Sequence, residues 1–156
     1  MYRKNSTLSV LILLILLNSC GFKKINDNNP LVYIQKINIS GDDRDTYMLK
    51  NNIFLISKKE AENKYNIDIK LSKNKSSKIK NKAGKVTRYT LGTTVDLSIE
   101  NIKTLAVNEK IFSKSNDYDV AKNHSDTLNN QKNASEANIK QLSDEIKNYI
   151  ILFNKN

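Results

Sequence analysis

The stretch 89–100 reads YTLGTTVDLSIE, and its alternation decides the fold. Tyr89, Leu91, Thr93, Val95, Leu97 and Ile99 fall on one side, and Thr90, Gly92, Thr94, Asp96, Ser98 and Glu100 on the other. Successive side chains of a strand point to opposite faces, so this pattern predicts a long strand with one dry and one wet face. Upstream, Tyr65, Ile67, Ile69 and Leu71 alternate with Asn66, Asp68, Lys70 and Ser72, which predicts a second half-buried strand. Ala83-Gly84 between the two can supply a positive-φ turn. Downstream, Leu105, Val107 and Ile111 predict a third strand after a turn at 101–104. Further upstream, Leu31, Val32, Tyr33, Ile34, Ile37 and Ile39 predict a strand that ends at Gly41.

The dry face needs cover, and two helical patterns can provide it. Asp42 or Asp43 can cap a helix over about Arg44 to Ser57, because a carboxylate accepts hydrogen bonds from the first free N–H groups. Leu49, Ile53 and Ile56 share one face of it. The segment from Val120 to Phe153 predicts a second helix, with no Pro or Gly to interrupt it. Val120, His124 and Leu128 share one face, as do Ile139, Leu142, Ile146, Ile150 and Phe153 further on; Ala134 and Ala137 lie between. Asp117-Tyr118-Asp119 is expected to cap this helix. The order of strand, helix, three antiparallel strands and helix predicts an α+β fold. Its architecture is a two-layer sandwich, with two helices packed on one face of a four-stranded, mostly antiparallel sheet.

The N-terminus is patterned differently. Arg3 and Lys4 precede Val10 to Leu17, eight consecutive aliphatic residues. That is far short of the ~20 apolar residues of a spanning helix and matches the core of a secretory signal. The segment ends Leu17-Asn18-Ser19-Cys20-Gly21. A Leu three residues before the Cys and a small residue just before it form a bacterial lipobox, whose Cys thiol accepts diacylglycerol. The chain is therefore expected to divide into a lipoprotein signal peptide at 1–19, a lipidated tether at 20–30 and one domain at 31–156. Acyl and diacylglycerol groups on Cys20 would anchor the mature chain to a membrane.

Composition excludes more than it assigns. One Cys rules out an internal disulfide framework, and one Cys with one His makes zinc or triad chemistry improbable. Four Gly leave little for a phosphate-cradling loop, and neither common nucleotide-binding pattern is present. No cofactor and no metal are expected, and the chain is read as a non-enzyme. The net charge of +10 suggests an anionic partner. Yet 23 Lys against 3 Arg, with 23 Asn and 18 Ile, points to an AT-rich coding bias, so total charge reads first as solvated surface. Clustering is more informative: Lys73, Lys75, Lys78, Lys80, Lys82 and Lys85 lie within thirteen residues at the predicted hairpin. His124 is read as a packed or boundary histidine, since one helix cannot assemble a triad from His124, Ser125 and the nearby Asp residues.

These residues, taken in order, resemble the lipopolysaccharide-assembly lipoprotein family LptE. The shared features are the lipobox followed by Gly21-Phe22, the strand ending at Ser40-Gly41-Asp42, and the helix after it. A Gly-containing turn then leads to Tyr89 and the alternating strand, and Ala121-Lys122-Asn123 opens the last helix. The wording around 115–132 resembles alphaproteobacterial members. The resemblance implies two helices on a four-stranded sheet. It implies an outer-membrane lipoprotein that plugs an LptD-like β-barrel, assists its assembly and binds lipopolysaccharide in transit to the cell surface. It also implies lipopolysaccharide binding at the turn on Lys82, with Lys80 and Lys85 beside it, and at the start of the last helix on Lys122. The expected location is the outer membrane, with the lipid anchor facing the periplasm and the domain inside the barrel lumen. Nucleic acid is not expected as a partner, because a lipobox carries the basic surface out of the cytoplasm. The competing reading is a generic periplasmic lipoprotein scaffold that binds an acidic envelope polymer; an anchored hydrolase is a third.

Overall fold

The alternating stretch at 89–100 forms the heart of a four-stranded sheet. In a computed structural model, which describes residues 32–154, six elements follow one another. They are β1 (Val32–Ser40), α1 (Asp43–Phe54), β2 (Asn63–Lys80), β3 (Val86–Asn101), β4 (Val107–Asp119) and α2 (His124–Phe153). The signal segment, Cys20 and the tether lie outside the described residues. Strand order is β1-β2-β3-β4; β1 runs parallel to β2, and the other two pairings are antiparallel. Both helices pack on one face, so the predicted two-layer α+β sandwich is the observed architecture.

The core sits where the two periodicities meet. Ile67, Ile69, Val95, Leu97 and Ile99 from the sheet pack against Leu49 and Ile53 of α1 and Ile139, Leu142, Ile146 and Ile150 of α2. Each fully buried aliphatic side chain of this kind contributes about 1.5–3 kcal/mol. The opposite face carries Thr90, Thr94, Asp96 and Ser98 and is left open; there Asn38 donates to Asp68 at 2.6 Å and Thr94 bonds Ser113 at 3.1 Å. Asp42 is the N-cap of α1, accepting from the Asp45 N–H at 3.4 Å.

Five boundaries differ from expectation. The strand expected to include Leu105 begins at Val107, because the Leu105 N–H bonds the Asn101 carbonyl at 2.8 Å and closes the turn. The helix expected to reach Ser57 ends at Phe54, because Ser57 turns back to bridge Val32 and accepts the Ile34 N–H at 3.0 Å. The strand expected over 65–71 continues to Lys80, since β3 offers it partners out to Val86, with the register shifting between Ser77 and Lys80. Asp117, Tyr118 and Asp119 do not cap the last helix; they are the end of β4, paired with Thr90, Tyr89 and Arg88. That helix begins at His124 instead of Val120, whose N–H is held by the Thr87 carbonyl at 2.9 Å.

The apolar cover is shorter than the sheet. The first half of α2 meets β3 and β4 through a polar layer in which every buried group has a partner. Asn138 donates to the Leu91 carbonyl (2.9 Å) and Thr93 Oγ1 (3.1 Å) and accepts from Asn116 (2.7 Å). A small second cluster of Leu91, Tyr118 and Ala134, with Tyr89 against it, completes that end.

Candidate functional site: the basic end of the sheet

The turn between β2 and β3 is built by Asn81. Its backbone N–H donates to the Lys85 carbonyl at 2.9 Å, and its side-chain Oδ1 accepts from the N–H groups of Ala83 (3.1 Å) and Lys85 (2.9 Å). Gly84 takes φ +77°, as the sequence predicts, and the chain reverses with Lys82 and Lys85 exposed at its tip and Lys80 exposed just before it. The loop leading into α2 arrives at the same end of the sheet. Val120 bonds Thr87, near the start of β3, and Lys122 follows two residues later, also exposed. Lys80, Lys82, Lys85 and Lys122 are thus brought to one end, and none of them meets a carboxylate among the described residues.

The rest of the lysine cluster is spent within the fold. Because Lys73 and Lys75 continue the inward parity of Tyr65 to Leu71, they belong to β2 and face the helices. The Lys73 ammonium bonds the buried Asp45 carboxylate at 2.8 Å and lies 3.4 Å from Asp42. Burial pushes the Lys73 ammonium down, but its hydrogen bond to Asp45 and the charges of Asp45 and Asp42 outweigh this and hold it above the ordinary lysine value. Lys75 sits 4.2 Å above the Tyr89 ring and 5.7 Å from that of Tyr118, the two rings being stacked at 5.6 Å. Lys78 pairs with Asp117, which also accepts from Thr90 at 2.7 Å, and Arg88 grips Asp119 at 2.6 and 3.2 Å. These donors hold both carboxyls below the usual range, the Lys78 hydrogen bond leading for Asp117 and the Arg88 one for Asp119.

A cleft of about 350 Å³ adjoins this end, between the start of α1, the turn-side halves of β2 and β3, and α2. Lys75, Arg44 and Lys132 line it with Leu91, Gln131 and Glu136. Arg44 is held by Glu136 at 2.5 Å, which leaves Lys75 as the cleft cation held only by aromatic faces. The sequence reading missed this wall; the unbroken parity from Tyr65 through Lys75 was the signal that could have found it. His124 is exposed, not packed, because α2 begins there and the loop before it is tied to β3 through the Val120 N–H, so its side chain stands at the helix end outside the core. Among the described residues no cluster of His, Cys, Asp or Glu is arranged to hold a metal, and no helix is long and apolar enough to cross a membrane.

The fold and the turn end of the sheet together define a class: a two-helix, four-stranded α+β domain with four exposed lysines, Lys80, Lys82, Lys85 and Lys122, at the end where β2 turns into β3. No family model matches the sequence, and no curated protein is similar to it. Solved structures share its architecture, among them the following two. One is the rare lipoprotein B of Shewanella oneidensis, with a TM-score of 0.59 and 16% identity, covering 78% of this chain and 97% of that one. The other is a chain described as a lipoprotein from Caulobacter crescentus, with a TM-score of 0.53 and 17% identity, covering 77% of this chain and 91% of that one. At such identities the likeness is one of fold.

Proposed function

We propose that this chain is an alphaproteobacterial-type, LptE-like outer-membrane lipoprotein, acylated on Cys20. In this reading it plugs an LptD-like barrel, assists its assembly and binds lipopolysaccharide on its way to the surface. The observation that carries this is the convergence of Lys80, Lys82, Lys85 and Lys122, none paired with a carboxylate among the described residues, at one end of a fold shared with rare lipoprotein B. Ammonium groups act as point charges that suit the phosphate and carboxylate groups of an acidic glycolipid. The open sheet face, lined with Thr and Ser hydroxyls, suits a polar lumen. In this reading the domain binds without chemistry, and its partners are the barrel, lipopolysaccharide and the membrane.

Affinity purification of the tagged mature protein from detergent-solubilised membranes, followed by mass spectrometry, tests the plug. A stoichiometric outer-membrane barrel in the eluate is the expected result; a membrane-anchored protein without one would sink it. Lipopolysaccharide binding is tested separately by Lys82→Glu with Lys122→Glu. Reversing two exposed charges should weaken binding about tenfold, and unchanged binding would remove the lysines from the site.

A further inference from the structure

The two edges of the sheet are finished differently. β1 is blunted: its register shifts between Ile34 and Lys36, the Ile34 N–H donates to Ser57 Oγ at 3.0 Å, and the Lys58 N–H donates to the Val32 carbonyl at 2.8 Å. β4 carries none of these devices. It has no Pro, no Gly and no register shift from Val107 to Asp119. Native proteins ordinarily protect an edge of this length, because its unpaired backbone is a template for another strand.

Three bonds fix which backbone groups this edge presents. The Asn101 N–H bonds the Ala106 carbonyl and the Val120 N–H bonds the Thr87 carbonyl, each at 2.9 Å, so the odd residues of β3 face β4. The Ile102 N–H bonds the Lys64 carbonyl at 2.9 Å, so the even residues of β3 face β2. An antiparallel ladder alternates, and its register here is continuous. The even residues from Asn108 to Tyr118 therefore bond β3, and the odd residues from Val107 to Asp117 aim N–H and C=O away from the sheet. Those odd residues are exposed, and no described residue bonds their outward groups.

The flanking side chains define what fits. On the helix side, a groove of about 370 Å³ lies beside the end of β4, lined by Asn116, Tyr118, Asn130, Asn133, Ala134 and Ala137. Small alanines leave it open, and its asparagines suit a polar side chain from an added strand. On the other face Ile111 is 67% exposed. Glu109 and Lys110 have no charged partner among the described residues. A complementary antiparallel strand carries an amide opposite Asn116 and apolar residues opposite Phe112 and Ile111. An acid opposite Lys110 and a base opposite Glu109 then follow.

We infer that β4 is a docking edge for an extended protein segment of this pattern, which adds a fifth, antiparallel strand to the sheet. The inference rests on neither the acylation of Cys20 nor lipopolysaccharide binding, and a loop of a surrounding barrel would be one such segment.

The peptide TQTTTVVEK carries the pattern when laid antiparallel along residues 109–117, and TQTTTVVKE sets its two charges against like charges. Amide hydrogen exchange is followed by NMR on the isotope-labelled, acylated protein in detergent. At about 1 mM TQTTTVVEK, the amides of Ile111, Ser113 and Ser115 should exchange about tenfold more slowly, while Phe112 and Lys114, already bonded to β3, stay unchanged. TQTTTVVKE should slow them less. Ser113→Pro removes an outward donor and no bond to β3, so it should abolish the slowing at Ile111 and Ser115. Ala137→Leu fills the groove without touching the β4 backbone and should weaken binding about fivefold. Unchanged exchange with TQTTTVVEK, or full binding by Ala137→Leu, would overturn the docking edge. An equal response to both peptides would overturn the partner's charge pattern. Slowed exchange that needs no peptide and grows with protein concentration would give the edge to a second copy of the chain and overturn the extended segment.

Discussion

Asp45 shows how one residue ties three elements together. Its carboxylate, 3% exposed, accepts from Lys73 of β2 at 2.8 Å and from the Ser135 hydroxyl of α2 at 2.6 Å, while the residue itself belongs to α1. Removing one partner of such a pair strands the other charge. Lys73→Met should cost about 2–3 kcal/mol in urea unfolding, less than a fully buried pair because the lysine is partly exposed. Asp45→Asn, which keeps an acceptor for Ser135, should cost less. Asp42 sets an acid limit. The Asp45 N–H, and after it Lys73, hold the Asp42 carboxyl below the usual range. A depressed carboxylate stabilises above its unfolded value near ~3.9, and that contribution is lost as pH falls through the folded value. The thermal midpoint should be flat from about pH 7 to 5 and fall below about pH 4. Asp42→Asn keeps the cap and should make that fall shallower.

At the scale of elements, two glycines separate conformational strain from collision. Gly84 stands at φ +77° in open space, so Gly84→Ala should cost about 1 kcal/mol, from backbone conformation alone. Gly41 joins β1 to α1 at φ +139°, and a Cβ there would lie 2.7 Å from the Leu71 carbonyl oxygen. Backbone cannot swing aside, so Gly41→Ala should cost at least about 2 kcal/mol, with the difference between the two variants read from their urea midpoints. The helices divide in a similar way. Ile139, Leu142, Ile146 and Ile150 make the second half of α2 an apolar stripe, readable by spacing alone. The first half is held by Asn138 and Ser135, whose burial no periodicity announces because polar residues pack there only by virtue of partners on β3, β4 and α1.

At the scale of the whole molecule, exposed lysines stand at both ends of the sheet, with Lys80, Lys82, Lys85 and Lys122 at the β2–β3 turn end. Exposed charges act through screened fields, whereas the core does not. Raising salt from about 50 to 300 mM should therefore weaken lipopolysaccharide binding severalfold and leave the unfolding midpoint nearly unchanged. Fluorescence titration and calorimetry on one preparation separate the two. Salt-independent binding would move the site from the lysine end to the cleft or the open sheet face.

Local patterning by itself determined the strand at 89–100, the turn at Gly84, a cap at Asp42 or Asp43 and the sandwich of two helices on one sheet face. Period and turn chemistry are properties of neighbours in the chain. Tertiary structure alone decided that β2 runs on through Lys80, that Asp117 and Asp119 are strand residues paired with Lys78 and Arg88, and that His124 faces solvent. It also sorted the lysines. Six adjacent charges look equivalent in sequence, but strand pairing turns Lys73 and Lys75 inward towards Asp45 and Tyr89 and leaves Lys80, Lys82 and Lys85 free. The reason is physical: a charge's role depends on the partner that folding sets against it, and those partners lie up to 92 residues away in the chain.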